Sequence, residues 1–152
     1  MTHDFVFGYS DDETVMLDMD NTDLKTVEKW ANMVLKWHDL RGYLILESST
    51  GSFHIVFNRK VDWSENMRIV AWVALLSGNE GLQRWHRMQC IKMKSTLRIS
   101  NKVEKKPPQI LKKSGKQKNR IKKFREFRKE IKKISENRFP VIELTEMNAY
   151  GN

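Results

Sequence analysis

The sequence predicts an α+β fold: a mixed or antiparallel sheet with flanking helices, followed by a basic C-terminal helix. Three observations carry that expectation. Apolar runs of strand length recur at residues 15–20, 43–47, 53–57 and 96–100. Between them lie longer stretches whose apolar residues repeat at helical spacing. The charge is also lopsided. Of 28 Lys/Arg and 19 Asp/Glu, residues 1–100 hold 12 and 13, whereas residues 101–152 hold 16 and 6. A near-neutral body therefore joins a basic last third.

Phe5 to Tyr9 form a short apolar run, and Ser10-Asp11-Asp12-Glu13 break it as an acidic turn. Val15 to Asp20 read as a buried strand ending in carboxylates. Leu24, Val27, Ala31, Val34, Leu35 and His38 recur at helical spacing, so residues 22–40 are expected to be a helix. Asn21 or Thr22 can cap its start and Gly42 can end it. Trp30, Met33 and Trp37 make a second stripe on the same helix.

Tyr43 to Glu47 and Phe53 to Phe57 read as two strands of a hairpin, joined by the five-residue loop Ser48-Ser49-Thr50-Gly51-Ser52. Ser64 can cap a helix through Leu76 that Gly78 stops. Residues 79–95 suit helix or irregular strand equally. Thr96 to Ser100 alternate as a strand. Pro107-Pro108 break regular structure, and Lys112-Lys113-Ser114-Gly115 look like loop. A helix is expected from about Gln117 to Asn137, with Ile121, Phe124, Phe127, Ile131 and Ile134 as its narrow apolar stripe. Val141 to Leu144 suit a last strand.

At 152 residues the chain is long enough to bury a core without disulfides or a structural metal. Its one cysteine, Cys90, excludes an intrachain disulfide and a cysteine-based zinc or iron–sulfur centre. No apolar run approaches the roughly 20 residues that span a bilayer. The polar start, Met1 to Asp4, does not read as a secretory signal. A cytoplasmic protein without a membrane partner is expected.

Three constellations can carry chemistry. Asp18 and Asp20 alternate on a strand, so both side chains share a face. Two such carboxylates repel unless a proton or cation settles them, which suits Mg²⁺ or Mn²⁺. The structural alternative is a strand-end turn that caps the following helix. Ser49, Gly51, Ser52 and His54 form a small, hydroxyl-rich loop and strand start able to donate to phosphate. His54 alone would more often be a satisfied core residue. Arg98, Ser100 and Lys102 share one strand face; arginine offers phosphate a fork and lysine a point charge. The plain alternative is a basic edge strand.

The order of these motifs is more informative than any one of them. A strand with D-x-D precedes a helix, a hairpin with S-x-H, a second helix and a strand with R-x-S-x-K. That order resembles the catalytic core of the archaeo-eukaryotic primase superfamily over roughly residues 14–104. The resemblance implies a small-subunit-like (RRM-like) core at 1–104 and a basic helical extension at 105–152, packed on or continuous with it. It puts Asp18 and Asp20 at the metal positions, catalytic if the chain is active. It puts Ser49, Gly51, Ser52, His54, Arg98, Ser100 and Lys102 around a nucleoside triphosphate bound with Mg²⁺ or Mn²⁺.

One departure matters. Catalytic members carry a third acidic residue shortly before the basic strand, and this chain has no Asp or Glu between Gly81 and Val103. Two-metal phosphoryl transfer needs carboxylates on both ions. Phosphate binding survives that loss better than turnover does. The combination resembles the small non-catalytic third subunits of heterotrimeric archaeal DNA primases. These imply the catalytic and large primase subunits, a nucleotide and a DNA/RNA template-primer as partners in primer synthesis. The alternatives are an active primase-polymerase using Asp18 and Asp20, and a plain basic nucleic-acid-binding module. In every case Lys112, Lys113, Lys116, Arg120, Lys122, Lys123, Arg125 and Arg128 are expected to form a nucleic-acid or partner surface, sequence-blind and salt-sensitive if it meets phosphates.

Overall fold

The computed structural model describes residues 5–146, and the side chains as far as residue 134. The elements run β1 (Gly8–Asp11), β2 (Thr14–Met19), α1 (Leu24–Trp37), β3 (Gly42–Ser49), β4 (Ser52–Lys60), α2 (Trp63–Ser77), α3 (Glu80–Lys92), β5 (Ser95–Arg98), β6 (Gln109–Gly115) and α4 (Arg120–Glu146). The fold is α+β, with two antiparallel sheets. One has strand order β2-β4-β3-β6, and β1 pairs with β5 in the other.

The larger sheet is apolar on both faces, so both must be covered. On one face Val15, Leu17, Met19, Tyr43, Ile45, Phe53, Ile55 and Phe57 meet α1, α2 and α3. On the other, Met16, Leu44, Leu46 and Val56 meet Tyr9 and Leu97 of the small sheet and Ile121, Phe124 and Ile131 of α4. Because strand side chains alternate, Asp18 and His54 fall on this second face, in the rows of Met16 and Val56.

Each of the first three helices starts at a side-chain cap one residue outside it. Asp23 accepts from the Thr26 amide at 2.8 Å, Asp62 from Glu65 at 2.8 Å and Asn79 from Leu82 at 2.9 Å. These caps replace the expected Asn21 or Thr22 and Ser64. An Asp at either position offers a carboxylate to the positive end of the helix, a stronger acceptor than a hydroxyl. Gly78 ends α2 in the left-handed conformation, as its position suggests. Gly42 does not end α1. His38 does, and Gly42 opens β3, where a Cβ would lie 1.8 Å from the Lys116 carbonyl oxygen. The bare Cα lets the end of β6 close against β3.

Other expectations change as well. The five-residue hairpin loop shrinks to Thr50-Gly51; Ser48, Ser49 and Ser52 belong to the strands, and Gly51 supplies the positive φ of 79°. Residues 79–95 are mostly helix. Lys112 to Gly115 are strand, not loop: their amides complete the edge of β3 while their charged side chains stay in water. The basic third thus contributes a strand to the main sheet and a helix to its second face. The apolar stripe of α4 is buried at Ile121, Phe124 and Ile131, while Ile134 is 49% exposed. The expected strand at 141–144 is helix instead, since α4 runs on to Glu146. A short β-branched run expresses a preference that a preceding helix overrides. No helix of the described residues is long and apolar enough to cross a membrane.

A candidate anion site on the second face of the sheet

Asp18 on β2 sits directly across from His54 on β4. The two side chains approach to 3.6 Å between Oδ1 and Nε2. This is too long for a hydrogen bond. Nor is it an ion pair at neutral pH, because both groups are pushed toward their uncharged forms. Burial drives the Asp18 carboxyl up to about 7, with the negative charge of Asp20 adding to it and Arg98, Lys102 and Lys105 opposing. Burial drives the His54 imidazole down to about 3, aided by the positive charge of Arg98. The buried His54 Nδ1 has no hydrogen-bond partner. A buried imidazole nitrogen without a partner is costly unless something else completes it, while the Asp18 side chain is 26% exposed.

Around this pair the chain gathers positive charge. The Arg98 guanidinium is anchored by backbone oxygens: it donates to Ser48 at 3.0 Å, to Lys106 at 3.1 Å and to Ser100. It thereby fixes the path of residues 99–106 over the end of the β3–β4 hairpin. Its charge reaches both Asp18 and His54. Lys102 and Lys105 pair their backbones across a tight turn whose Glu104 has a φ of 61°, and both lysines are exposed.

The expected residues divide accordingly. Arg98 acts electrostatically on both Asp18 and His54, and Lys102 acts on Asp18. Ser100 does not join them. It lies beyond the end of β5, accepts from the Phe7 amide at 2.8 Å and donates to the Asn101 carbonyl at 3.0 Å. Arg98, Ser100 and Lys102 therefore do not share a strand face, because β5 stops at Arg98. Ser49 and Ser52 pair across the hairpin, and the Gly51 carbonyl accepts from Thr22 at 3.1 Å. Asp20 leaves the strand to pack at the start of α3. A Cβ at Gly81 would lie 2.7 Å from its Oδ2, and Asn79 donates to its carbonyl at 2.7 Å. Its charge still raises Asp18. Lys105 is the member that sequence reasoning missed. It is separated from Lys102 by a turn that shows itself only in the left-handed Glu104.

The expected basic surface also divides. Lys113, Lys116, Lys122 and Lys123 are exposed. Lys112 pairs with Glu28 at 2.6 Å. Arg125 is half-buried. Arg120 is not a surface residue: it is 7% exposed, bonds Asp11 at 3.0 Å and Thr14 at 3.0 Å, and lies 3.4 Å from Glu13. The acidic start of the chain needed a buried counter-charge, and the first residue of α4 supplies it. Arg128 is half-buried and donates to the Pro108 carbonyl at 3.0 Å, which likewise withdraws it from the surface. No family model, curated protein or solved structure matches this chain.

Proposed function

We propose that this chain is a non-catalytic accessory subunit of a DNA primase, of the PriX kind, that binds a nucleoside triphosphate and supports primer initiation beside catalytic and large subunits. The observation that carries the reading is Asp18 facing His54, whose Nδ1 has no partner, within the field of Arg98, Lys102 and Lys105. A polyphosphate brings what this cluster lacks. Its oxygens accept from the exposed lysines and meet the field of Arg98. A divalent ion carried by the phosphates takes Asp18 as an oxygen ligand in its ionised form, expelling the proton that burial otherwise retains. Neutral His54 keeps one N–H to donate and adds no charge. Arg98 works here as a fixed positive charge rather than as a free fork.

Calorimetric titration of the purified chain with ATP and Mg²⁺ tests this. Saturable binding below millimolar nucleotide, lost in Asp18→Ala only when Mg²⁺ is present, is the expected result. No binding at millimolar nucleotide overturns it. Primer extension compared between the natural chain and an Asp18→Ala, Asp20→Ala double variant separates this reading from an active polymerase, which predicts activity that the double variant loses. A second reading, a simple nucleic-acid-binding module, is favoured by the exposed lysines of β6, of α4 and of the segment between them. It predicts salt-dependent affinity that Lys113→Ala and Lys116→Ala reduce and that Arg98→Ala leaves alone.

A further inference from the structure

Met67 on α2 and His86 on α3 each bring a different donor to the sulfur of Cys90 on α3. His86 and Cys90 are four residues apart, which sets them on the same side of α3. The Cys90 Sγ lies 3.5 Å from the His86 Nε2 and 3.5 Å from the Met67 Sδ. Cys90 is exposed, so a ligand can reach the cluster from solvent. α2 and α3 cover the opposite face of the sheet from Asp18 and His54.

We propose that Met67, His86 and Cys90 form a binding site for a soft monovalent metal ion, Cu(I). The spacing fits one. An ion ~2.3 Å from each sulfur and ~2.0 Å from the nitrogen would subtend roughly 100–110° at the two separations from the Cys90 sulfur, close to tetrahedral geometry. The donors choose the metal. Thiolate and thioether sulfur select Cu(I), and imidazole accepts it. Calcium and magnesium require oxygen, and a thioether is not among the usual ligands of zinc. On binding, the Cys90 thiol releases its proton to solvent. The His86 Nε2 gives up its contact with the Met67 carbonyl oxygen, now 3.2 Å, and the ring carries its proton on Nδ1. Copper enters and remains Cu(I), so no electron moves. The ion then clips α2 to α3.

Transfer of Cu(I) from its bicinchoninate complex to the full chain, without oxygen, tests the site. The natural chain is expected to withdraw one equivalent and to melt at a higher temperature when loaded. Cys90→Ser abolishes the transfer. Met67→Leu, a volume-conserving swap that keeps the packing, and His86→Gln each weaken it by about tenfold or more, since loss of a ligand is no milder than loss of its support. If Met67→Leu and His86→Gln hold Cu(I) as tightly as the natural chain, Cys90 is an ordinary surface thiol and the proposal fails. Equal affinity for Zn²⁺ overturns it as well.

Discussion

Two carboxylates on the same side of the molecule meet opposite fates. Asp11 accepts five hydrogen bonds: from the Tyr9 hydroxyl, the Glu13 and Thr14 amides, the Thr14 hydroxyl and the Arg120 guanidinium. Burial pushes its carboxyl up, but the hydrogen bonds from Tyr9, Thr14 and Arg120 outweigh that and hold it below the ordinary range. Asp18 faces an imidazole 3.6 Å away, and its carboxyl rises to about 7. A charge the fold has completed is architecture. A charge left incomplete beside gathered cations is where a ligand has work to do.

The largest expected effect breaks the completed side. Asp11→Ala leaves Arg120 buried without its main partner and should cost about 3–5 kcal/mol of stability, measured by urea unfolding. A loss under about 1 kcal/mol contradicts the architectural role. The Asp11 contribution is present above its unfolded pKa of about 3.9 and disappears as pH falls through its lower folded value.

The incomplete side gives the next effect, and its sign is unusual. The Asp18 carboxyl is raised in the folded state, so its contribution is full below pH ~4 and is lost as pH rises toward 7. The His54 pKa is depressed, so its contribution is full above pH ~6.5 and is lost as pH falls toward 3. The two nearly offset between pH 4 and 6.5. Asp18→Asn should therefore unmask stability that climbs with pH across that window, and His54→Gln stability that falls, each by about 1–3 kcal/mol. Parallel profiles in both variants contradict the pairing.

Smaller effects follow in binding. Arg98→Ala should weaken binding of ATP with Mg²⁺ by about 1.5–3 kcal/mol, and Arg98→Lys by less because the charge remains. Equal losses would mean that the guanidinium acts only through the carbonyls it anchors. Smallest of all, Lys113→Ala with Lys116→Ala should shift stability by under about 0.5 kcal/mol, since both side chains stand in water.

The first carboxylate was hidden in the sequence and the second was not. Asp18 announces itself by alternation on an apolar strand, and His54 by its place after Gly51-Ser52. Their strands pair with Asp18 opposite His54, and a slip by one residue would turn both side chains toward the helices on the other face. Asp11 reads as part of an acidic turn, and nothing local says that Arg120, 109 residues away, will be drawn in to neutralise it. β6 was lost for a similar reason. Lys112-Lys113-Ser114 lacks the apolar alternation of a strand, since an edge strand here borrows its order from the amides of β3. α1 and α2 were the most legible elements and moved mainly at their caps and ends, whereas residues 79–95 were open between helix and strand and α4 runs nine residues past its expected end.

The claim that Asp18 is held incomplete for a ligand is tested most directly by the proton that accompanies nucleotide. Calorimetry near pH 7 in two buffers of different ionisation enthalpy counts it. With Mg²⁺, binding of ATP should release about half a proton, because the metal takes the ionised carboxylate. In EDTA the bare triphosphate should instead favour protonation and draw a proton in. Both signals should vanish in Asp18→Asn. Binding with no proton exchange, or with the same exchange in Asp18→Asn, would contradict the account.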